Sequence, residues 1–171
     1  GDFLGDYDIY AQRLDEDGLP LGGEIVIADG AYNQSGPARI YNPNTNQFLA
    51  AWQDDRNEAT SGSDLYGQRV RADGTLFDQG NFAISTATGE QGAIALSYSP
   101  TSLQYLAVWA DARTTDDIFG QRLHLLGIPI GYEFNLSSAI DSHRTPAVAY
   151  NSVDQEYMVV WSDDRNGDDE M

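Results

Sequence analysis

The 171 residues carry 27 acidic side chains against nine arginines and no lysine, a formal net charge of −18, and no cysteine. Such a balance excludes nucleic acid as a default partner, because binding phosphate needs clustered cations, and it argues against docking on anionic membranes. It also excludes a disulfide framework and thiolate chemistry, while the length suffices for one domain with a real core and no apolar run approaches a membrane span.

The chain opens at Gly1 without a leader pattern, as expected of a mature form or of a piece of something longer. A first strand is predicted over 9–14, where Tyr10 and Gln12 alternate with Ile9, Ala11 and Arg13. It ends in Asp15-Glu16-Asp17-Gly18, whose glycine can supply the positive φ of a hairpin turn. A second strand is expected over 24–28 and a third over 38–42, the latter turning through Pro43-Asn44-Thr45-Asn46. The fourth, Phe48-Leu49-Ala50-Ala51-Trp52, is apolar at successive positions, so both of its faces need cover. It runs into Gln53-Asp54-Asp55-Arg56.

The same order then returns twice. Asp64-Leu65-Tyr66-Gly67-Gln68-Arg69 and Asp117-Ile118-Phe119-Gly120-Gln121-Arg122 repeat the opening, and Trp109-Ala110-Asp111-Ala112-Arg113 and Trp161, Asp163, Arg165 repeat the close. Asp8 to Trp52, Asp64 to Trp109 and Asp117 to Trp161 span 44, 45 and 44 residues. Gly18, Gly74 and Gly127 each fall ten residues after their Asp, and Tyr41, Tyr98 and Tyr150 each fall eleven before their Trp. Length varies chiefly between a Trp and the next Asp, twelve residues in one case and eight in the other. A fixed frame with one elastic loop marks a tandem repeat, here a single repeat domain over 1–171 with units of about 6–56, 62–113 and 115–165. Counterpart strands are expected at 82–85 and 133–136, and at 105–109 and 157–161. No helical periodicity of useful length competes with them.

Repeated four-stranded antiparallel sheets, each covered on both faces by its neighbours, describe the blades of a β-propeller, so the expected fold is all-β with three such blades. Three blades do not close a ring, since propellers have about four to eight. The chain is then half of a six-bladed ring made with a second copy, part of a longer array, or a unit that stacks end to end. Each unit is expected to be a whole sheet, leaving an apolar face uncovered at each end, and those faces predict association.

The pattern Asp-x-Tyr-Gly-Gln-Arg, then Asp-Gly, then Val-x-Trp-x-Asp-x-Arg resembles a tandem repeat of large bacterial secreted and surface proteins, adhesin-like ones among them. It covers nearly everything from Asp8 to Arg165, departing from the pattern at Leu126 and at Ala112. The resemblance implies a propeller-like fold and an extracellular location, and says little about activity.

Trp52, Asp54 and Arg56 lie at alternate positions and share one face of an extended strand, as do Trp109, Asp111 and Arg113, and Trp161, Asp163 and Arg165. The expected role is an ion pair closing the strand end, with the guanidinium able to stack on an aromatic ring. Gln12-Arg13, Gln68-Arg69 and Gln121-Arg122 are read as fasteners between strands or blades, because arginine reaches carboxylate or carbonyl oxygen in a fixed fork. The loop carboxylates Asp55, Asp64, Asp116, Asp117, Asp164, Asp168 and Asp169 are candidate calcium ligands by donor type, although no complete EF-hand pattern is present.

Catalysis is the rival class. Paired acids across a propeller pocket would cleave glycosides, but carboxylates are plentiful everywhere here and none belongs to one unit alone. His124 and His143 have no recurring partner, and nucleophile, phosphate-loop and zinc spacings are absent. For glycan binding, the non-repeated Tyr7, Tyr32 and Tyr132 are the aromatics left over. The expected function is a non-catalytic secreted or cell-surface module, structural or adhesive, that self-associates through its terminal blades. The alternative is a carbohydrate-binding or glycan-cleaving propeller domain.

Overall fold

The structure, a computed structural model, describes residues 6–77, 80–113, 116–137 and 143–164. Among these there is no helix, and twelve strands pair only antiparallel. β1 (Ile9–Ala11) pairs with β2 (Ile25–Ala28). The next four, β3 (Gln34–Asn42), β4 (Gln47–Asp54), β5 (Asp64–Arg71) and β6 (Phe82–Ser85), form one sheet in that order. A second four-stranded sheet holds β7 (Gln91–Ser99), β8 (Gln104–Asp111), β9 (Asp117–His124) and β10 (Pro129–Asn135) in chain order. The last pair is β11 (His143–Asn151) with β12 (Glu156–Asp163).

The expectation of three four-stranded blades needs correcting: the sheets hold two, four, four and two strands and straddle the units. β3 and β4 come from the first unit, β5 and β6 from the second. The elastic loop after each Trp is the reason. It is a hairpin connection that brings Asp54 opposite Asp64 and Trp52 opposite Tyr66, and likewise Asp111 opposite Asp117 and Trp109 opposite Phe119. Hairpin loops absorb length changes at small entropic cost, as linkers do, so the variable loop lies inside a sheet. The crossing from sheet to sheet falls instead between β2 and β3, between β6 and β7 and between β10 and β11. Each end of the chain is therefore half a sheet, not a whole one.

The third strand of each unit is also longer than the 38–42 expectation. In β3, β7 and β11 the register slips two residues before Ala38, Ala95 and Ala147. Gly36, Ala93 and Thr145 stand in the slip with φ of 59°, 49° and 47°. These are bulges, in which an extra left-handed residue bends the strand. Only Gly36 advertises one in the sequence, because alanine and threonine rarely adopt positive φ.

β7 packs against β3 on one side and β11 on the other, so the four sheets lie in chain order. Strand β4 shows why they stack. Leu49 and Ala51 are fully buried in a cluster that includes Tyr105, Ala107 and Trp109 of β8. Trp52, on the opposite face, is fully buried in a second cluster with Ile9, Ile27 and Val70. Burial of such side chains contributes about 1.5–3 kcal/mol each. Polar clasps join the layers at one end, where Asn42 Nδ2 donates to Tyr105 Oη at 2.9 Å and Tyr98 Oη donates to Asn44 Oδ1 at 2.9 Å. Strand β12 has the same apolar sequence but cover on one face only. Met158 is 65% exposed and Val160 56%, where their counterparts Leu49 and Ala51 are fully buried.

Candidate functional site

In the first two units the recurring Trp-x-Asp-x-Arg residues meet at the end of the fourth strand. Because Trp52 and Asp54 share a face of β4, the indole Nε1 donates to Asp54 Oδ2 at 2.9 Å. The chain then turns so that Arg56 returns to the same carboxylate: its amide and Nε donate to Oδ1 at 3.0 and 2.8 Å, and Nη2 to Oδ2 at 2.6 Å. The guanidinium lies 3.9 Å over the ring of Tyr66, the residue paired with Trp52. Trp109, Asp111 and Arg113 repeat this with contacts of 2.8, 2.9, 2.8 and 2.6 Å, and Arg113 lies 4.0 Å over Phe119. Arg113 Nη2 also reaches Glu133 at 2.6 Å. In the third copy Trp161 and Asp163 lie half-buried on β12, and Arg165 falls outside the described residues.

This geometry decides what the carboxylates can do. An ionised carboxylate offers about four acceptor positions. Asp54 and Asp111 each accept four hydrogen bonds from their own motif, while fully or almost fully buried. None is left for a metal, a substrate or a proton in transit. The arrangement orients the loop and neutralises a charge taken out of water.

Asp54 carries a pH consequence. Burial acts to raise its pKa, but hydrogen bonds from the Arg56 side chain, Trp52 and the Arg56 amide outweigh it, and the group sits below its usual 3.8. The unfolded chain therefore takes up this proton at a higher pH than the fold does. Stability from Asp54 is fully present above about pH 4 and is lost as pH falls through the lowered folded value. The urea midpoint is expected to drop between about pH 6 and pH 3, and the drop should be smaller in Asp54→Asn. An equal drop in both chains would remove Asp54 from the acid response.

The glutamine-arginine pairs fasten the next hairpin. Gln68 Nε2 donates to the carbonyls of Arg69 and Phe77 at 3.0 and 3.2 Å, and Gln121 Nε2 to those of Arg122 and Ile130 at 2.8 and 3.1 Å. Gln12 Nε2 does the same with Arg13 and Gly22. Arg69 lies 4.2 Å over Phe77, and Arg13 Nη1 donates to the Asp73 carbonyl of the neighbouring turn at 2.8 Å.

Among the described residues no group of three or more His, Cys, Asp or Glu side chains is placed to hold a metal. Asp55 accepts from Ser63 Oγ at 2.7 Å, Asp64 from Asn57 Nδ2 at 2.7 Å, and Asp117 from Asn135 Nδ2 at 3.1 Å. Asp116 faces Arg144 at 3.7 Å, Asp164 is exposed, and Asp168 and Asp169 lie outside the described residues. His124 Nδ1 accepts from the Leu126 amide. Tyr7, Tyr32 and Tyr132 are all exposed.

A further concavity lies elsewhere, at the first end of the stack. A cleft of about 650 Å³ lies between β1–β2 and the outer face of β3–β6, floored by Ala38, Tyr41, Phe48 and Ala50 with Tyr10 and Ala11 at its edge. Tyr41 and Phe48 are 42% and 38% exposed, whereas their counterparts Tyr98 and Tyr105 are 7% and 0%. Phe48 and Ala50 belong to a strand that the sequence predicts to be covered on both faces. Their exposure follows from which strands share a sheet. Compared with protein-family models and with curated proteins, the chain matches none.

Proposed function

We propose that this chain is a non-catalytic, propeller-type structural or adhesive module of the bacterial cell surface or secreted space that associates through its terminal strands. One observation carries the reading: the carboxylates of Asp54 and Asp111 are saturated by their own tryptophan and arginine, while a cleft of about 650 Å³ is mainly apolar and sits at an end of the stack. A catalytic or sugar-binding centre needs polar groups with free valences converging on a concavity. An assembly face needs apolar area and a matching partner.

The test is solution mass at several concentrations, with retention on polysaccharide columns measured alongside. Mass is expected to rise above the 18.7 kDa of one chain, without retention. A constant 18.7 kDa together with retention would overturn the reading in favour of a carbohydrate-binding propeller domain. Calcium at the loop carboxylates is the one cofactor this proposal admits, and a melting temperature unmoved by chelator excludes it.

A further inference from the structure

The two ends of the molecule are the two halves of one sheet. Within the whole sheets, the fourth strand of one unit pairs with the first strand of the next: Ala51 opposite Gly67 in β4–β5, and Val108 opposite Gly120 in β8–β9. Among the described residues β12 has a strand on one side only, and so does β1. By the repeat, β12 stands where β4 and β8 stand, and β1 where β5 and β9 stand. We infer that β12 of one copy pairs antiparallel with β1 of a second copy, Val160 opposite Ala11, to complete a four-stranded sheet β11-β12-β1-β2. The inference rests on the association reading above and adds the partner strand and its register.

Three further observations fit the same joint. First, the cleft on the outer face of β3–β6 marks the place of two missing strands. The equivalent face of β8, with Tyr105, Ala107 and Trp109, is buried against Leu49 and Ala51 of the preceding sheet. In the assembly Met158 and Val160 of the second copy would cover Phe48 and Ala50 in the same way: Met158, Val160 and Phe48 are exposed and Ala50 is partly so, while Trp52 beside them is already covered by Ile9 and Ile27. Second, the hairpin glycines report their neighbours. A side-chain carbon at Gly74 would come within 2.8 Å of Ile25 Cδ1, and one at Gly127 would run into the ring of Phe82. Gly18, their counterpart, has nothing within 4 Å, and Phe134, the counterpart of Ile25 and Phe82, is 36% exposed. Pairing β12 with β1 stacks β1–β2 on β9–β10 and brings these two together. Third, Tyr66 and Phe119 each lie under an arginine of the preceding unit, whereas their counterpart Tyr10 is 54% exposed.

An unpaired edge beside apolar surface recruits a strand, because main-chain hydrogen bonds supply affinity and side-chain alternation supplies register. Two copies joined at both ends would hold two whole sheets each and two shared ones, six in all, within the range of about four to eight that closes a propeller.

The native chain has no cysteine, so crosslinking can read the register directly. Opposed residues of antiparallel strands have Cα atoms about 4.5–5.5 Å apart, within disulfide range. Mixing Val160→Cys chains with Ala11→Cys chains under mild oxidation is expected to give a mixed disulfide pair as the main product. Val160→Cys mixed with Gln12→Cys should give little, because a one-residue step turns the side chain to the other face. Val160→Asp, a change at an exposed position, should keep the circular dichroism spectrum and weaken association at least tenfold.

A mass fixed at one chain would overturn both this inference and the association reading. Association with equal crosslinking at Ala11 and Gln12, with Val160→Cys chains linked to each other, or undiminished in Val160→Asp would overturn the inference alone. If the double variant Ala11→Cys/Val160→Cys closes within single chains, a second copy is not the occupant.

Discussion

Replacing Trp109 with alanine should cost about 3–5 kcal/mol, the range for truncating a buried large aromatic. The indole is fully buried, lies in the central apolar cluster between the two whole sheets, and stacks on Phe119 with ring centroids 6.5 Å apart. Its Nε1 also closes the fourth hydrogen bond on Asp111 at 2.8 Å. Truncation therefore opens a cavity and strips a donor from a buried carboxylate. Against a total stability of about 5–15 kcal/mol, that loss brings the chain close to unfolding. Chemical denaturation followed by circular dichroism measures it. Trp161→Ala, on the half-covered β12, should cost clearly less in the same assay at concentrations where the chain is monomeric. Equal losses would mean that the terminal pair is as well covered as the centre.

The second large effect is expected at Arg113. Arg113→Met leaves the Asp111 carboxylate buried without its cation and with two of its four hydrogen bonds lost, a cost of about 3–5 kcal/mol for an uncompensated buried charge. The guanidinium itself is held strongly protonated, first by its hydrogen bonds to Asp111, with burial opposing and Glu133 adding to them. Arg113→Lys should restore only part of the loss, because an ammonium cannot make the two-pronged contact or lie flat on Phe119. The double variant Asp111→Leu/Arg113→Met should be more stable than Arg113→Met alone, since an apolar pair needs no compensation. If the double variant is the weaker of the two, the pair does more than neutralise a buried charge.

Much of the local structure was legible. Runs such as Tyr105-Leu106-Ala107-Val108-Trp109 are apolar at every step, and only a strand covered on both faces accounts for them. The hairpin glycines and the recurrence of Trp, Asp and Arg were equally plain. What stayed hidden was which strands share a sheet. Fixed spacing between Asp8 and Trp52 says that the intervening elements keep their relative places, and this holds whether they lie within one sheet or across two. The bulges at Ala93 and Thr145 were hidden because those residues carry no preference for the conformation they adopt. For the candidate calcium ligands only donor type is visible in a sequence, and the short-range partners that Asp55, Asp64 and Asp117 take from Ser63, Asn57 and Asn135 are not.

The offset between unit and sheet has a bearing on proteolytic nicking. A cut between β6 and β7 severs a connection that no strand ladder spans, so the resulting fragments hold complete ladders and are joined only by the packed faces and a few hydrogen bonds, such as those of Asn42 with Tyr105 and of the Gln91 amide with Ser63. A cut between β4 and β5 leaves its products laced by eight residue pairs, from Gln47 with Arg71 to Asp54 with Asp64. Such a nicked chain should stay together under native conditions and separate only in denaturant.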